Sequence, residues 1–449
     1  MKKILLFIAG FAIVSCANDS KADKVEYTVL SGKIENQKDD KILLVNNDFK
    51  KEIKLNDNGT FTDTLRVDTG YYTLMHERSS ASLFIAPAKD LKITTDATKF
   101  IDSMSYEGKG AATNNFLLAK TNRNKSRNAV EIFSKEEPEF IKIITGFKEE
   151  SIKALKETKG LDDEFIALEK KNIKFAHLLN LSRHAMYYPY YSKNEDFKPS
   201  EELLAYFKDV DYDNEENIKQ FKAFKELALN HYSEKLKPNE DIKGTVSIIK
   251  GLKSKTLKNT IAEELSYFIS PSYKESDYLY KSLSEISQDE KFKKELTKKY
   301  DIIKNLVAGK DSPSFDYENH KGGKTSLADL KGKYVYIDVW ATWCGPCIQE
   351  IPSLKKVEKQ YHNKNIEFVS ISIDQEKAHE TWKKMVVDKE LGGIQLMADD
   401  AWKSKFVADY AIEGIPRFIL IDPNGKIVSA DAPRPSSPKL IELFNELKI

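Results

Sequence analysis

The sequence predicts a multidomain protein with an N-terminal all-β domain, a central α-helical region and a C-terminal α/β domain. Residues 26–108 contain short runs of alternating apolar side chains, separated by turn signals. Residues 109–305 are rich in Lys and Glu and carry apolar residues at helical spacing. From residue 306 to residue 449, segments typical of strands and helices alternate. A chain of 449 residues is also too long for a single ordinary core.

The first residues have the features of an export signal. Lys2 and Lys3 precede an apolar run, Ile4–Val14, which is too short to span a bilayer comfortably. The run ends in Ile13-Val14-Ser15-Cys16, which resembles a bacterial lipobox. This resemblance implies a lipoprotein signal peptide over residues 1–15, lipidation of Cys16 and a polar tether over residues 16–25. The alternative is a plain secretory signal in which Cys16 is incidental.

Composition narrows the classes of function. The formal net charge is +1, so there is no electrostatic argument for a nucleic-acid partner. The chain has three cysteines. If Cys16 carries lipid, only Cys344 and Cys347 remain, and their spacing suits a reactive pair rather than a bridge between distant segments.

The first two regions contain recognisable elements. Runs such as Lys41–Val45 and Tyr71–Met75 indicate strands, and Asp57-Asn58-Gly59 is a turn signal, so we expect a small antiparallel sandwich or barrel. In the helical region, apolar stripes alternate with breakers and predict a bundle of about seven helices. The breakers are Pro189, Pro199, Pro238 and Pro271.

The C-terminal region reads as alternating strands and helices. Tyr334–Trp340 is nearly all apolar, as is typical of a strand buried on both faces. A helical stripe follows from Ile348 to Tyr361. The further predicted elements are strands at Ile366–Ile373, Ile394–Met397, Phe418–Ile421 and Lys426–Val428, and helices at Glu376–Lys389, Ala401–Tyr410 and Leu440–Leu447.

Cys344 and Cys347 lie between the buried strand and the following helix. Their spacing of three residues places them about one helical turn apart, which permits a disulfide. The N-terminus of a helix stabilises a thiolate through its partial positive charge and its free N–H groups. We therefore expect Cys344 to be the nucleophile, with a lowered pKa, and Cys347 to be a more buried resolving thiol.

The segment Ala341-Thr342-Trp343-Cys344-Gly345-Pro346-Cys347 resembles the signature of the thioredoxin superfamily. The resemblance extends from about Ser312 to the end of the chain and is strongest to the extracytoplasmic TlpA/ResA-like branch. It implies a thioredoxin-like fold for residues 306–449. A zinc site is disfavoured, because no further unlipidated cysteine exists and His320 and His362 form no motif.

The resemblance also implies roles for nearby residues. Asp338, six residues before Cys344, corresponds to the buried acid that helps to move the proton of the resolving thiol. Glu350, three residues after Cys347, corresponds to an acid that tunes the thiols, and the division of labour between the two acids stays open. The residues implied in substrate binding are Trp343, Gly345, Pro346, Ile415 and Pro416, with Pro416 in the cis form and Trp340 either shielding the site or serving the core alone.

The sequence therefore predicts an extracytoplasmic thiol-disulfide oxidoreductase, anchored by lipid to a bacterial membrane and facing the periplasm or the cell surface. We expect disulfide-containing protein substrates, a membrane or periplasmic thiol reductant as electron donor, and no cofactor or metal. One alternative is a surface lipoprotein whose first two domains bind a glycan or a protein, for which the tyrosines of Met186–Tyr191 are candidates. A thiol peroxidase is less favoured, since Ala341 stands where such enzymes place Thr or Ser.

Overall fold

The computed structural model describes residues 26–46 and 49–449. The predicted signal peptide, the tether and Cys16 lie outside these residues. The chain forms two compact units, and the division falls within the helical region. Unit 1 extends to Leu227 and unit 2 begins at Ala228, except that Asp213–Glu215 belongs to unit 2. The predicted boundaries at residues 108 and 305 stay a prediction.

Unit 1 begins with eight strands in two four-stranded sheets. The strands are β1 (Thr28–Glu35), β2 (Lys41–Asn46), β3 (Phe49–Lys54), β4 (Thr60–Leu65), β5 (Gly70–His76), β6 (Ser79–Ile85), β7 (Leu91–Asp96) and β8 (Ser105–Glu107). The sheet orders are β4-β1-β7-β8 and β3-β2-β5-β6. Apolar side chains from both sheets, including Ile34, Leu44, Leu74 and Ile93, form one shared core, which is the arrangement of a β-sandwich.

One pairing in this sandwich differs from the prediction. The sheets were expected to be antiparallel, but β1 and β7 pair in parallel, with Leu30 opposite Leu91. The expectation was wrong for this pair because alternation of apolar residues shows which side chains face the core and carries no information about strand direction. The other pairs that the described strands form in these two sheets are antiparallel.

The helical region contains eleven helices, more than the seven predicted. They are α1 (Ala111–Lys125), α2 (Ala129–Phe133), α3 (Glu137–Glu157), α4 (Asp163–Ser192), α5 (Glu201–Ala205), α6 (Glu215–Gln220), α7 (Lys222–Ser233), α8 (Ile242–Gly251), α9 (Lys255–Ser266), α10 (Ser276–Ile286) and α11 (Glu290–Ile303). Three of them have only five or six residues, too few for an apolar stripe to be recognised. Pro189 is not a breaker, because it lies inside the last turn of α4.

A buried carboxylate ties the second β-sheet of unit 1 to its helices. Glu169 on α4 has a fully buried side chain. It accepts hydrogen bonds from Lys120 Nζ on α1 at 2.6 Å, from the Tyr71 hydroxyl on β5 at 2.5 Å and from Asn172 Nδ2 at 3.0 Å. A buried charge is tolerated when its oxygens are paired in this way.

Unit 2 contains α8 to α11 and a seven-stranded sheet. Its strands are β9 (Asp316–Asn319), β10 (Lys324–Ser326), β11 (Tyr334–Trp340), β12 (Ile366–Ser372), β13 (Ile394–Met397), β14 (Arg417–Ile421) and β15 (Ile427–Ser429), in the order β10-β9-β13-β12-β11-β14-β15. Four helices alternate with them: α12 (Gly345–Tyr361), α13 (His379–Asp388), α14 (Lys405–Asp409) and α15 (Pro438–Glu446).

The middle of this sheet matches the predicted buried strand. β11 pairs in parallel with β12 and antiparallel with β14. Val335, Ile337 and Val339 face one core, while Tyr336 faces a second core with residues of α12 and α15, including Leu354 and Phe444. Burial of both faces explains why the strand is apolar throughout. The predicted fold class, an all-β region followed by helices and a thioredoxin-like α/β domain, is confirmed.

None of the helices in residues 26–46 and 49–449 combines the length and the apolar character that crossing a bilayer requires.

Replacing Glu169 with Ala is expected to destabilise unit 1 by about 3 kcal/mol, because the change leaves the Lys120 ammonium and the Tyr71 hydroxyl without their acceptor. Denaturant unfolding of the full chain, followed by circular dichroism, measures this loss. Lys170→Ala, at an exposed neighbour on the same helix, is the control and should cost under about 0.5 kcal/mol. Equal losses in the two variants would contradict a stabilising role for the buried network.

Candidate active site

Cys344 and Cys347 lie where β11 leaves the sheet and α12 begins. β11 ends at Trp340, and α12 starts at Gly345. The two cysteines form a disulfide, with their Cα atoms 5.3 Å apart. Gly345 and Pro346, the two residues between the cysteines, are exposed at the start of the helix. The predicted position at the junction of a buried strand and a helix is therefore observed.

The sulfur of Cys344 serves as the N-cap of α12. It accepts a hydrogen bond from the backbone N–H of Cys347 at 3.2 Å. Helix N-termini leave backbone N–H groups without intrahelical partners and carry partial positive charge, so a thiolate at this position is stabilised. This contact favours Cys344 as the thiol that ionises more readily once the disulfide is reduced.

Burial does not separate the two cysteines as we expected. Cys344 is 4% exposed and Cys347 is 3% exposed. Both pack in the core cluster that contains Val339 and Ile371. In the disulfide form the bond holds the Cys344 sulfur against the first turn of the helix, so the expected difference in burial is absent.

Asp374 anchors the loop that leads into the motif. It follows β12 and is almost completely buried. Its carboxylate accepts hydrogen bonds from the Thr342 backbone N–H at 2.9 Å, the Thr342 hydroxyl at 2.7 Å and the Ser372 hydroxyl at 2.7 Å. Sequence reasoning missed this residue. The available signal was its position just beyond the carboxyl end of a strand that runs parallel to β11, where site residues of such sheets collect.

Asp338 is a buried acid on β11, as predicted. It is 9% exposed, and burial raises its pKa to about 8, with further contributions from the nearby charges of Glu350 and Glu358. Burial of the neighbouring Tyr336 hydroxyl, together with the charge of Asp338, raises the pKa of that hydroxyl. A carboxyl group with such a pKa is neutral over most of the physiological range and can exchange a proton near the pH at which thiols ionise.

The other predicted acid, Glu350, is largely sheltered from solvent. Its side chain is 12% exposed. It accepts hydrogen bonds from the Ser436 backbone N–H at 3.0 Å and from the Ser436 hydroxyl at 2.8 Å. These contacts join α12 to the segment before α15. Glu350 is therefore a bonded carboxylate close enough to influence Asp338 electrostatically.

Glu358 is a third acid that sequence reasoning missed. It lies two turns beyond Glu350 on α12, and its carboxylate abuts Gly392 and Gly393, where a side chain on Gly392 would collide with it. Burial raises its pKa to about 7, against the opposing effect of Lys355. No local sequence pattern distinguishes it from the other Glu residues of the helix, because its environment is created by a distant loop.

The predicted cis-proline is present. The Ile415–Pro416 peptide bond is cis, and it immediately precedes β14. Ile415 packs against the core cluster that includes both cysteines. The structure thus brings Ile415 to the core that holds the dithiol, while the predicted role of this pair in substrate binding stays a prediction.

The tryptophans divide into one core residue and an exposed pair. Trp340 is 2% exposed and belongs to the core. Trp343 is 60% exposed, and its ring lies 6.5 Å from the ring of Trp402, which sequence reasoning did not single out. Exposed aromatic rings next to a reactive pair can contact a substrate.

In unit 1, Tyr190 is exposed, whereas His177 and His184 are buried within α4.

The C-terminal part of the chain is similar to known proteins. The Redoxin family model matches residues 307–440. ResA, a thiol-disulfide oxidoreductase of Bacillus cereus, is 32% identical over 123 residues, which are 27% of this chain and 68% of ResA. ResA of Bacillus subtilis (strain 168) is 31% identical over 127 residues, covering 28% and 66% of the two chains. The solved thioredoxin domain of a Bacteroides vulgatus thiol-disulfide oxidoreductase is 30% identical, with a TM-score of 0.29. The match covers 31% of this chain and 96% of that domain.

A dithiol at the start of the helix that follows β11, together with a cis-proline before β14, the strand that pairs with β11, defines a thiol-disulfide oxidoreductase of the thioredoxin class. The chain belongs to the thioredoxin superfamily, within its ResA/TlpA-like group of thiol-disulfide oxidoreductases. The similarity to thiol-disulfide oxidoreductases favours redox chemistry as the main role over the alternative of a lipoprotein whose main role is binding. The matched residues of the relatives cover about a quarter of this chain.

Replacing Asp338 with Asn is expected to stabilise the disulfide form at alkaline pH. In the folded chain Asp338 keeps its proton up to about pH 8, whereas in the unfolded chain it loses the proton near pH 4. Folding therefore takes up a proton between these values, and the free energy of unfolding falls as the pH rises through this window. At pH 8 the Asn variant should be more stable by on the order of 5 kcal/mol, and at pH 4 the two proteins should be similar.

Denaturant unfolding at both pH values measures this difference. Asp388→Asn, at an exposed carboxylate on α13, controls for the loss of one charge. A stability difference between wild type and Asp338→Asn that is the same at pH 4 and pH 8 would contradict the buried titration.

Proposed function

We propose that this chain is an extracytoplasmic, lipid-anchored oxidoreductase that reduces disulfides of partner proteins through Cys344 and Cys347. The observation that carries the proposal is the Cys344 sulfur at the N-cap of α12, bonded to the Cys347 N–H. Lipid anchoring is supported by the resemblance of Ile13–Cys16 to a lipobox. The Gly345-Pro346 pair supports the reducing direction, since thioredoxins with this dipeptide lie at the reducing end of the family, near about −270 mV.

The reaction proceeds by two exchanges. The Cys344 thiolate attacks one sulfur of the substrate disulfide, forms a mixed disulfide and releases the first substrate thiolate. The Cys347 thiolate then attacks the Cys344 sulfur, releases the second substrate thiolate and closes the Cys344–Cys347 bond. Two electrons pass to the substrate, which leaves as a dithiol. A membrane or periplasmic thiol reductant returns the protein to the reduced form.

Asp338 is the better candidate to accept the proton of Cys347. Its pKa of about 8 is close to that of an ordinary thiol, and a general base works best when its pKa is near the operating pH. Both carboxylate oxygens of Glu350 already accept hydrogen bonds from Ser436, so they are engaged with the segment before α15. In this assignment Glu350 acts on the thiols through its charge next to Asp338.

The substrate is held beside the dithiol in an extended conformation. The backbone of Ile415, preceding the cis bond, is the candidate to pair with it strand to strand. Trp343, Gly345 and Pro346 are exposed next to Cys344 in the sequence and are the further candidates to contact the substrate. This arrangement suits a flexible segment of a partner protein, because a strand-like contact needs only a backbone free to extend.

The test uses two single cysteine variants of the full chain. Cys347→Ser retains the nucleophile and should accumulate mixed disulfides with partner proteins, which a reductant releases on a gel. Cys344→Ser should form none and should lose at least about 100-fold in the rate of insulin disulfide reduction. Equal insulin reduction by wild type and Cys344→Ser would contradict the proposed reaction.

A further inference from the structure

A groove lies between the helices of unit 2 and the loop that carries the cis-proline. One cavity of about 190 Å³ is lined on one side by the segment after α9 and by α11, and on the other by Gly414 and Arg417. A second cavity of about 420 Å³ adjoins it. The two cavities share Tyr267, Lys299 and Glu413.

The walls of the groove are fixed by polar contacts. Lys299 on α11 has a side chain only 11% exposed; it pairs with Glu413 and donates a hydrogen bond to the Ser266 carbonyl at 2.9 Å. On the other side, the Ser272 hydroxyl donates to Asp431, which also pairs with Arg417 at 3.2 Å. Contacts from both sides hold the helices against the cis-proline loop, so the groove exists before a substrate arrives.

The lining of the smaller cavity favours an apolar side chain. Ile269 and Ile303 contribute buried apolar surface, and the Tyr267 ring is 69% exposed. The charged groups of the lining, Lys299 and Arg417, are already paired within the chain. A cavity of about 150 Å³ accepts benzene, so 190 Å³ is enough for an aromatic ring.

The cavity is close to the place where the substrate backbone would pair. Gly414 lines it and directly precedes Ile415. Because an extended chain advances about 3.3 Å per residue, we assign the contacting side chain to a position two or three residues from the reacting cysteine. We propose that this groove is a specificity pocket that takes a large apolar, preferably aromatic, side chain of the polypeptide substrate near its reactive cysteine. This inference rests on the proposed function and identifies its substrate class more closely.

The experiment compares short peptides in which one cysteine forms a mixed disulfide with thionitrobenzoate. One set carries Phe two or three residues from the cysteine, and a matched set carries Ala there. The pre-reduced full chain should react with the best Phe peptide about fivefold faster than with its Ala counterpart, the gain expected from one aromatic contact. In Tyr267→Ala the two peptides should react at nearly equal rates.

Two further variants control for general effects. Tyr267→Phe keeps the ring and should keep the preference. Tyr190→Ala removes an exposed tyrosine from unit 1 and should also leave the preference unchanged. A wild-type chain without a preference, or a Tyr267→Ala variant that retains it, would overturn the pocket. A Cys344→Ser variant as reactive as wild type would instead overturn the proposed function, so the two failures are distinguishable.

Discussion

The hydrogen bond from the Cys347 N–H to the Cys344 sulfur is the contact on which the chemistry of this chain depends. It places one sulfur at the positive end of α12 and the other one turn inside the helix. The contact exists only if β11 ends at Trp340 and the chain turns at once into the helix. The strand is held by pairing on both edges, and the turn is held by the buried carboxylate of Asp374. The reactive geometry is therefore built by the centre of the sheet.

The acids Asp338, Glu350 and Glu358 place a second constraint on the chemistry of the dithiol. Asp338 lies in a strand buried on both faces, where a charge is costly. Burial therefore keeps its carboxyl group protonated up to about pH 8. Glu350 and Glu358 on the neighbouring helix increase the effect. Unlike the buried Glu169 in unit 1, which is paired with Lys120, Asp338 has its pKa raised by burial and by neighbouring acids. A paired acid stabilises a structure, whereas an acid held near its pKa is suited to moving protons.

Sequence patterns predicted the C-terminal fold well because its signals are local. The strand Tyr334–Trp340 and the short strand Ile394–Met397 occur with the predicted bounds, since an apolar run of strand length between turn signals has few alternative structures. The cysteine pair was predicted from its spacing between a strand and a helix, whereas the role of Asp338 and the cis-proline were implied by the resemblance to the thioredoxin superfamily.

Features that depend on distant residues were missed. The parallel pairing of β1 with β7 is decided by the path of the chain between them, and the short helices α2, α5 and α6 carry too few residues for a periodic signal. Asp374 and Glu358 acquire their roles only when segments far apart in sequence meet. The same holds for the wall that α11 and the segment after α9 form beside Gly414. The helical region just before residue 306 is thus part of the surroundings of the cis-proline, which no pattern within it indicated.

The pKa values of the two thiols in the reduced full chain test the central account most directly. Alkylation with iodoacetamide over a range of pH, with each modified cysteine identified by peptide mass spectrometry, gives the ionisation of each thiol separately. The account predicts that Cys344 is alkylated first, with a pKa below the ordinary value of about 8.5, and that Cys347 reacts only at higher pH. Preferential alkylation of Cys347, or a Cys344 pKa at or above the ordinary value, would contradict it.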